Sequence, residues 1–198
     1  MAGAGLSAFE FFFGFYGLIL GLSVVEIIGG LARALRAQWL KALGVCLPLL
    51  ALYLLLDLLQ FWVDTWSRHQ TPHINAGVLT VALAIAALYY LASSLVFPDP
   101  VADRENSDAH FDVHKRTVIG LAFAANILSF TALPLLAGQP EVFRSTFSPR
   151  PLIFLVVWAA PLLAVCMVRN RRICAALLAW QCLTYLALTF AEAIAEKA

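Results

Sequence analysis

The chain has 198 residues, of which 62% are hydrophobic and only 13% charged, with a net charge of +1 and a mean hydropathy of +0.86. A soluble domain carries about a quarter charged residues, so this chain has too few to cover a water-facing surface, and lipid must be its main solvent. The small net charge and the lack of a lysine- and arginine-rich block argue against a nucleic acid partner.

The N-terminus, MAGAGLSAFEFFF, has no basic region ahead of its apolar run, so it reads as a retained helix and not as a signal peptide. A spanning helix needs roughly 20 apolar residues. Six stretches qualify, at 11–32, 43–64, 76–97, 117–137, 151–168 and 173–193. The expected fold is an all-α integral membrane protein, a compact bundle of six transmembrane helices forming one polytopic domain over residues 1–198. The longest connection, 98–116, is too short to hold a soluble domain.

At 100° per residue the first helix has two faces. Gly14, Gly17 and Gly21 share a narrow arc, and Ser23, Glu26, Gly29, Gly30 and Arg33 lie opposite. Small residues at this spacing let a neighbouring helix approach closely, which makes the glycine arc a candidate packing seam. Glycine is also simply frequent in membrane helices. Neither account leaves Glu26 against lipid. Arg33 follows it on the same face and can reach back while snorkelling to the interface, so Glu26 is expected to form an ion pair near the cytoplasmic boundary with Arg33 or with a basic residue at the start of the fourth or sixth helix.

On the second helix Tyr53, Asp57, Gln60 and Asp64 fall on one stripe, extended by Cys46 and Leu50. An intramembrane carboxylate costs about 2.5 to 3.5 kcal/mol on insertion scales, so this stripe should face the bundle interior. Gln60 and Asp64 also fit as markers of the helix end, but Asp57 does not. It has no basic residue at its depth and therefore reads as a proton-exchanging or cation-binding group. Tyr89, Tyr90, Ser93 and Ser94 crowd the inner half of the third helix. Asn126 and Ser129 share a side of the fourth, and Cys174, Gln181, Thr184, Tyr185 and Glu192 a face of the sixth. At ~1.5 Å per residue these groups spread in depth, with Asp64 and Glu192 outermost, Asp57 next, Asn126 and Gln181 near the middle, and Glu26 roughly 14 Å from Asp57.

An inverted repeat of three plus three helices is a common transporter plan. Leu83–Ala92 matches Leu178–Ala187 at six of ten positions, a degree of similarity that Leu-Ala-rich helices also reach by chance. The segment DAHFDVHK spaces His110 and His114 as a metal pair would need if it is helical, with a solvated lead-in to the fourth helix as the simpler account. His69 and His73 share that spacing but flank Pro72. Cys46, Cys166 and Cys174 fall near one boundary, where thiolates can hold a soft metal or be merely buried. No resident cofactor is implied, and no nucleotide-binding, nucleophile-elbow or zinc-protease motif is present.

Nine lysines and arginines lie in the first, third and fifth loops, against three in the second and fourth. Short basic loops stay cytoplasmic, so both termini are expected outside, in a plasma membrane of the bacterial inner-membrane kind. The leading functional reading is passage of protons, small cations or a small solute along Tyr53, Asp57, Gln60, Asp64, Asn126, Gln181, Tyr185 and Glu192. The alternatives are an accessory or structural subunit, alone as a homo-oligomer or within a larger membrane complex, and a small metal-dependent enzyme using the histidine pair.

Overall fold

A computed structural model describes residues 8–36, 44–68, 75–98, 107–147 and 149–195, and every regular element among them is an α-helix. In lipid each backbone N–H and C=O must find a partner within the protein, which leaves helices or a closed barrel. The helices are α1 (Ala8–Arg36), α2 (Cys46–Arg68), α3 (Ala76–Ser94), α4 (Ser107–Phe130), α5 (Ala132–Leu136), α6 (Pro140–Thr146), α7 (Pro149–Met167) and α8 (Arg171–Ala195).

Five segments are long and apolar enough to cross a membrane: Phe13–Arg36, Cys46–Thr65, Ala76–Ser94, Asp108–Leu136 and Arg171–Ala191. Leu18, Val25, Ile127, Trp180 and Phe190 are exposed along them. A monomer in water rarely leaves apolar surface of this extent uncovered. These are the features of a multi-pass membrane protein.

The count differs from the six spans expected. α7 occupies the fifth of them, yet its apolar part among the described residues, Leu155–Met167, is shorter than the others. Pro161 lies inside it and removes one backbone donor. The fourth span differs too, because α4 starts at Ser107 and makes the DAHFDVHK segment helical. Pro134 has no N–H, and its ring would meet the carbonyl four residues earlier. Accordingly α4 stops at Phe130 and α5 restarts at Ala132. Gly138, with φ at 72°, ends α5 in a left-handed turn that L side chains resist. Asn75 then ties this corner to α3, accepting from Val78 N–H at 3.0 Å and donating to the Leu136 carbonyl at 2.8 Å.

The middle of the bundle belongs to α2, which touches α1, α3, α4 and α8 and buries Leu47, Leu50, Tyr53, Leu54 and Phe61. Around it α1 packs on α3, α3 on α4, and α7 on α8. The buried edge of α1 runs through Tyr16, Leu20, Ser23, Ile27, Gly30 and Ala34, the three- and four-residue steps of one helical face. A Cβ on Gly30 would overlap the ring of Phe97, and one on Gly17 the ring of Trp62. Among the described residues Gly14 and Gly21 have no such neighbour within 4 Å, so of the glycine arc Gly17 is the one seen packed against another described helix.

Overpacking a closed contact costs about 1–3 kcal/mol. Gly30→Leu should therefore lower the thermal midpoint in detergent, while Gly14→Leu should leave it unchanged. Equal melting of Gly30→Leu and the parent would remove the Phe97 contact as a constraint on α1.

Candidate functional site: a carboxylate held by four helices

α2, α3, α4 and α8 each bring one polar side chain to a common level. These are Asp57, Tyr89, Asn126 and Tyr185, all buried. Tyr89 Oη donates to Asp57 Oδ2 at 3.0 Å, and Asn126 Nδ2 to the same oxygen at 3.1 Å. Tyr185 Oη donates to Asp57 Oδ1 and in turn accepts from Trp158 Nε1 of α7 at 2.5 Å. Asn126 Nδ2 also lies 3.1 Å from Tyr89 Oη and 2.9 Å from the Ala122 carbonyl, which holds the amide in place on its own helix.

All of these partners are neutral. They offset part of the desolvation cost of a buried carboxylate without cancelling its charge. Each phenol can donate or accept, so the ring of contacts can also receive a protonated Asp57 if one hydroxyl rotates. Chemically the site can hold a proton or shed it within an unchanged set of side chains.

The site continues along α2 and α8. Tyr53 lies one turn before Asp57 with its ring centroid 6.2 Å from that of Tyr185, and Gln181 lies one turn before Tyr185. Both are fully buried, and Tyr53 Oη and Gln181 Nε2 have no hydrogen-bond partner among the described residues. In the other direction Gln60 and Asp64 are half-buried on α2. Glu192 lies on α8, but its side chain is outside the described part of the structure.

Helix lengths alone spread these groups in depth, whereas the hydrogen bonds put Asp57, Asn126 and Tyr185 at one level. Counting residues from helix ends fails here because α4 begins ten residues ahead of its expected span. Tyr89 was recognisable only as a polar residue of the third helix. Trp158 carried a single signal, an indole N–H in an apolar run, which needs a partner when buried.

Glu26 and Arg33 stand apart from this centre. Arg33 Nη2 donates to Glu26 Oε1 at 3.0 Å, with the side chains 51% and 32% exposed.

The start of α4 meets the α7–α8 turn in a second polar cluster. Arg171 bridges Asp108 at 2.6 Å and Asp112 at 3.2 Å. Lys115 is buried, donating to Asp112 at 3.2 Å and to the Val168 carbonyl at 2.8 Å. Gly44, with φ at 62°, brings the start of α2 against Asp108. His110 Nε2 lies 3.0 Å from the Leu95 carbonyl and His114 Nδ1 3.1 Å from that of His110, with the two rings stacked at 4.1 Å. Among the described residues no group of three or more His, Cys, Asp or Glu side chains is placed to hold a metal. Cys46 and Cys174 approach this turn through carbonyl contacts, to Arg171 at 3.5 Å and to Val168 at 3.4 Å. His69 and His73 lie outside the described residues.

Losing one interhelical hydrogen bond in a membrane bundle costs about 1 kcal/mol. Tyr89→Phe should destabilise the protein by that amount in detergent unfolding, whereas Tyr90→Phe, on the exposed neighbour, should stay within about 0.5 kcal/mol. Identical midpoints for Tyr89→Phe and the parent would mean that the phenol contributes nothing to holding Asp57. No family model, no curated protein and no solved structure matches this chain.

Proposed function

We propose that this membrane protein moves protons, small cations or a small solute along an interior polar path on which Asp57 is the exchanging group. One observation carries the proposal: a buried carboxylate at the junction of four helices whose hydrogen-bond partners are all neutral. A fixed salt bridge would consume the charge, whereas a neutral shell leaves it available to a proton or cation. Ionisable groups inside membranes mark such pathways by default.

On this reading Tyr53 and Gln181 continue the path toward the end of the bundle where the basic loops lie. Gln60, Asp64 and Glu192 continue it toward the other end, where acidic groups attract cations. Glu26 and Arg33 form an inner gate. The loop charges support a six-span topology with both termini outside in a bacterial inner membrane, α7 completing its crossing through residues ahead of Leu155.

A second reading is favoured by the same three hydrogen bonds. They join α2 to α3, α4 and α8, and interhelical polar contacts fix packing in membrane bundles at ~1 kcal/mol or less each. Asp57 would then be structural, in a non-catalytic accessory subunit or a homo-oligomer.

Proteoliposomes under imposed proton, sodium or potassium gradients separate the two. The proposal expects flux from the parent and a fall to the level of empty vesicles in Asp57→Asn, with the thermal midpoint retained. A parent silent under every gradient, or undiminished flux in Asp57→Asn, would overturn it. A lowered midpoint without any change in flux is the outcome the structural reading expects.

A further inference from the structure

Resting on the reading of Asp57 as an exchanging group, we propose that Tyr53 and Gln181 form a buried hydration site through which Asp57 exchanges protons, and not metal cations, with the basic end of the bundle.

The placement follows from helix register. α2 and α8 run side by side in the same direction, because Cys46 at the start of α2 meets the Arg171 carbonyl at the start of α8, and further along Asp57 meets Tyr185. Tyr53 and Gln181 each precede those partners by four residues. Both therefore sit about 6 Å nearer the basic end, facing one seam. Cys182 Sγ, 3.8 Å from the Leu49 carbonyl, belongs to the same seam.

The chemistry follows from which atoms are unused. Tyr53 Oη and Gln181 Nε2 are buried and unpartnered within the described residues. Each orphaned polar atom costs about 1–3 kcal/mol, and two of them one turn from a carboxylate are a cost that water relieves. Gln181 Nε2 can only donate and Tyr53 Oη can donate or accept. Water between them accepts from both and still has two hydrogens to direct at Asp57 and a further oxygen. Buried waters typically make about three such bonds.

The same inventory disfavours a metal cation. A hard cation seeks oxygen lone pairs directed inward. Around Asp57 the protein instead directs hydrogens, from two phenols and an amide, at the carboxylate oxygens a cation would need. A proton needs no such shell. When an excess proton reaches the bridging water, Asp57 takes it on one carboxylate oxygen and a neutral water remains. The hydroxyl that had donated to that oxygen rotates to accept, and release reverses each step.

The test is hydrogen–deuterium exchange followed by infrared difference spectroscopy on the full-length protein in detergent. Asp57 is identified as the carboxylic-acid band, developed on acidification, that is missing in Asp57→Asn. The band should shift within the mixing time when the parent meets D2O. It should exchange at least about tenfold more slowly in Tyr53→Phe/Gln181→Leu, the equivalent of ~1.4 kcal/mol on the exchange barrier. Tyr53→Phe alone, the milder change, should slow it partially, and only variants with the parent's gel-filtration profile are compared. Exchanging sodium or potassium for choline at fixed pH should leave the band unaltered. Exchange as fast in the double variant as in the parent, a band that responds to sodium or potassium, or no band that depends on Asp57 would each overturn the proposal. The measurement needs no transport. Rapid exchange dependent on Tyr53 and Gln181 in a protein without flux would uphold the hydration site and remove the transport reading.

Discussion

Asp57 is a carboxylate that lipid cannot solvate, and the arrangement of the helices around it follows from that. The protein supplies in place of water a hydroxyl from α3, an amide from α4 and a hydroxyl from α8. To be reached from three sides, α2 must be surrounded, and it is the helix that touches α1, α3, α4 and α8. Leu56 and Leu58 beside Asp57 are buried with it, while the outer helices expose Leu18, Val25, Trp180 and Phe190 and α2 exposes Leu52 and Leu59 on its remaining face.

The two ends of the bundle solve different electrostatic problems. Near the start of α4 charges are abundant, partly exposed and mutually paired, with Arg171 spanning Asp108 and Asp112. Lys115 is the exception in being buried, and its ammonium is met by the Val168 carbonyl as well as by Asp112. Around Asp57, among the described residues, the partners are two phenols and an amide, and none is a base. At the four-helix junction Asp57 relies on neutral hydrogen-bond donors in place of an ion pair.

Much of this was legible in the sequence, for a physical reason. Burying a carboxylate is expensive enough that Asp57 forces its own stripe inward, and the same stripe contained Tyr53. The polar faces of the fourth and sixth helices pointed to Asn126, Gln181 and Tyr185 on the same grounds. Less visible was which of these groups would meet, since that depends on helix ends. α4 starts at Ser107, ahead of its hydropathy run, and breaks before Pro134, and the described apolar part of α7 is shorter than its hydropathy run implies. The repeat alignment pairs Tyr90 with Tyr185, but Tyr90 is exposed and the buried partner of Asp57 is its neighbour Tyr89. One residue of register is 100° of helix, and hydropathy is nearly blind to it. Trp158 was hidden for another reason, because it touches Asp57 only through Tyr185.

The order of the donors along the chain has a consequence for biogenesis. Asp57 emerges from the ribosome with the second helix, but Tyr185, which closes its shell, is 128 residues further on. Tyr89 and Asn126 can meet Oδ2 once α3 and α4 are made, but the phenol that meets Oδ1 waits for α8. A polypeptide truncated before α8 would therefore carry a carboxylate met closely on one oxygen and not the other, a defect that quality control can recognise.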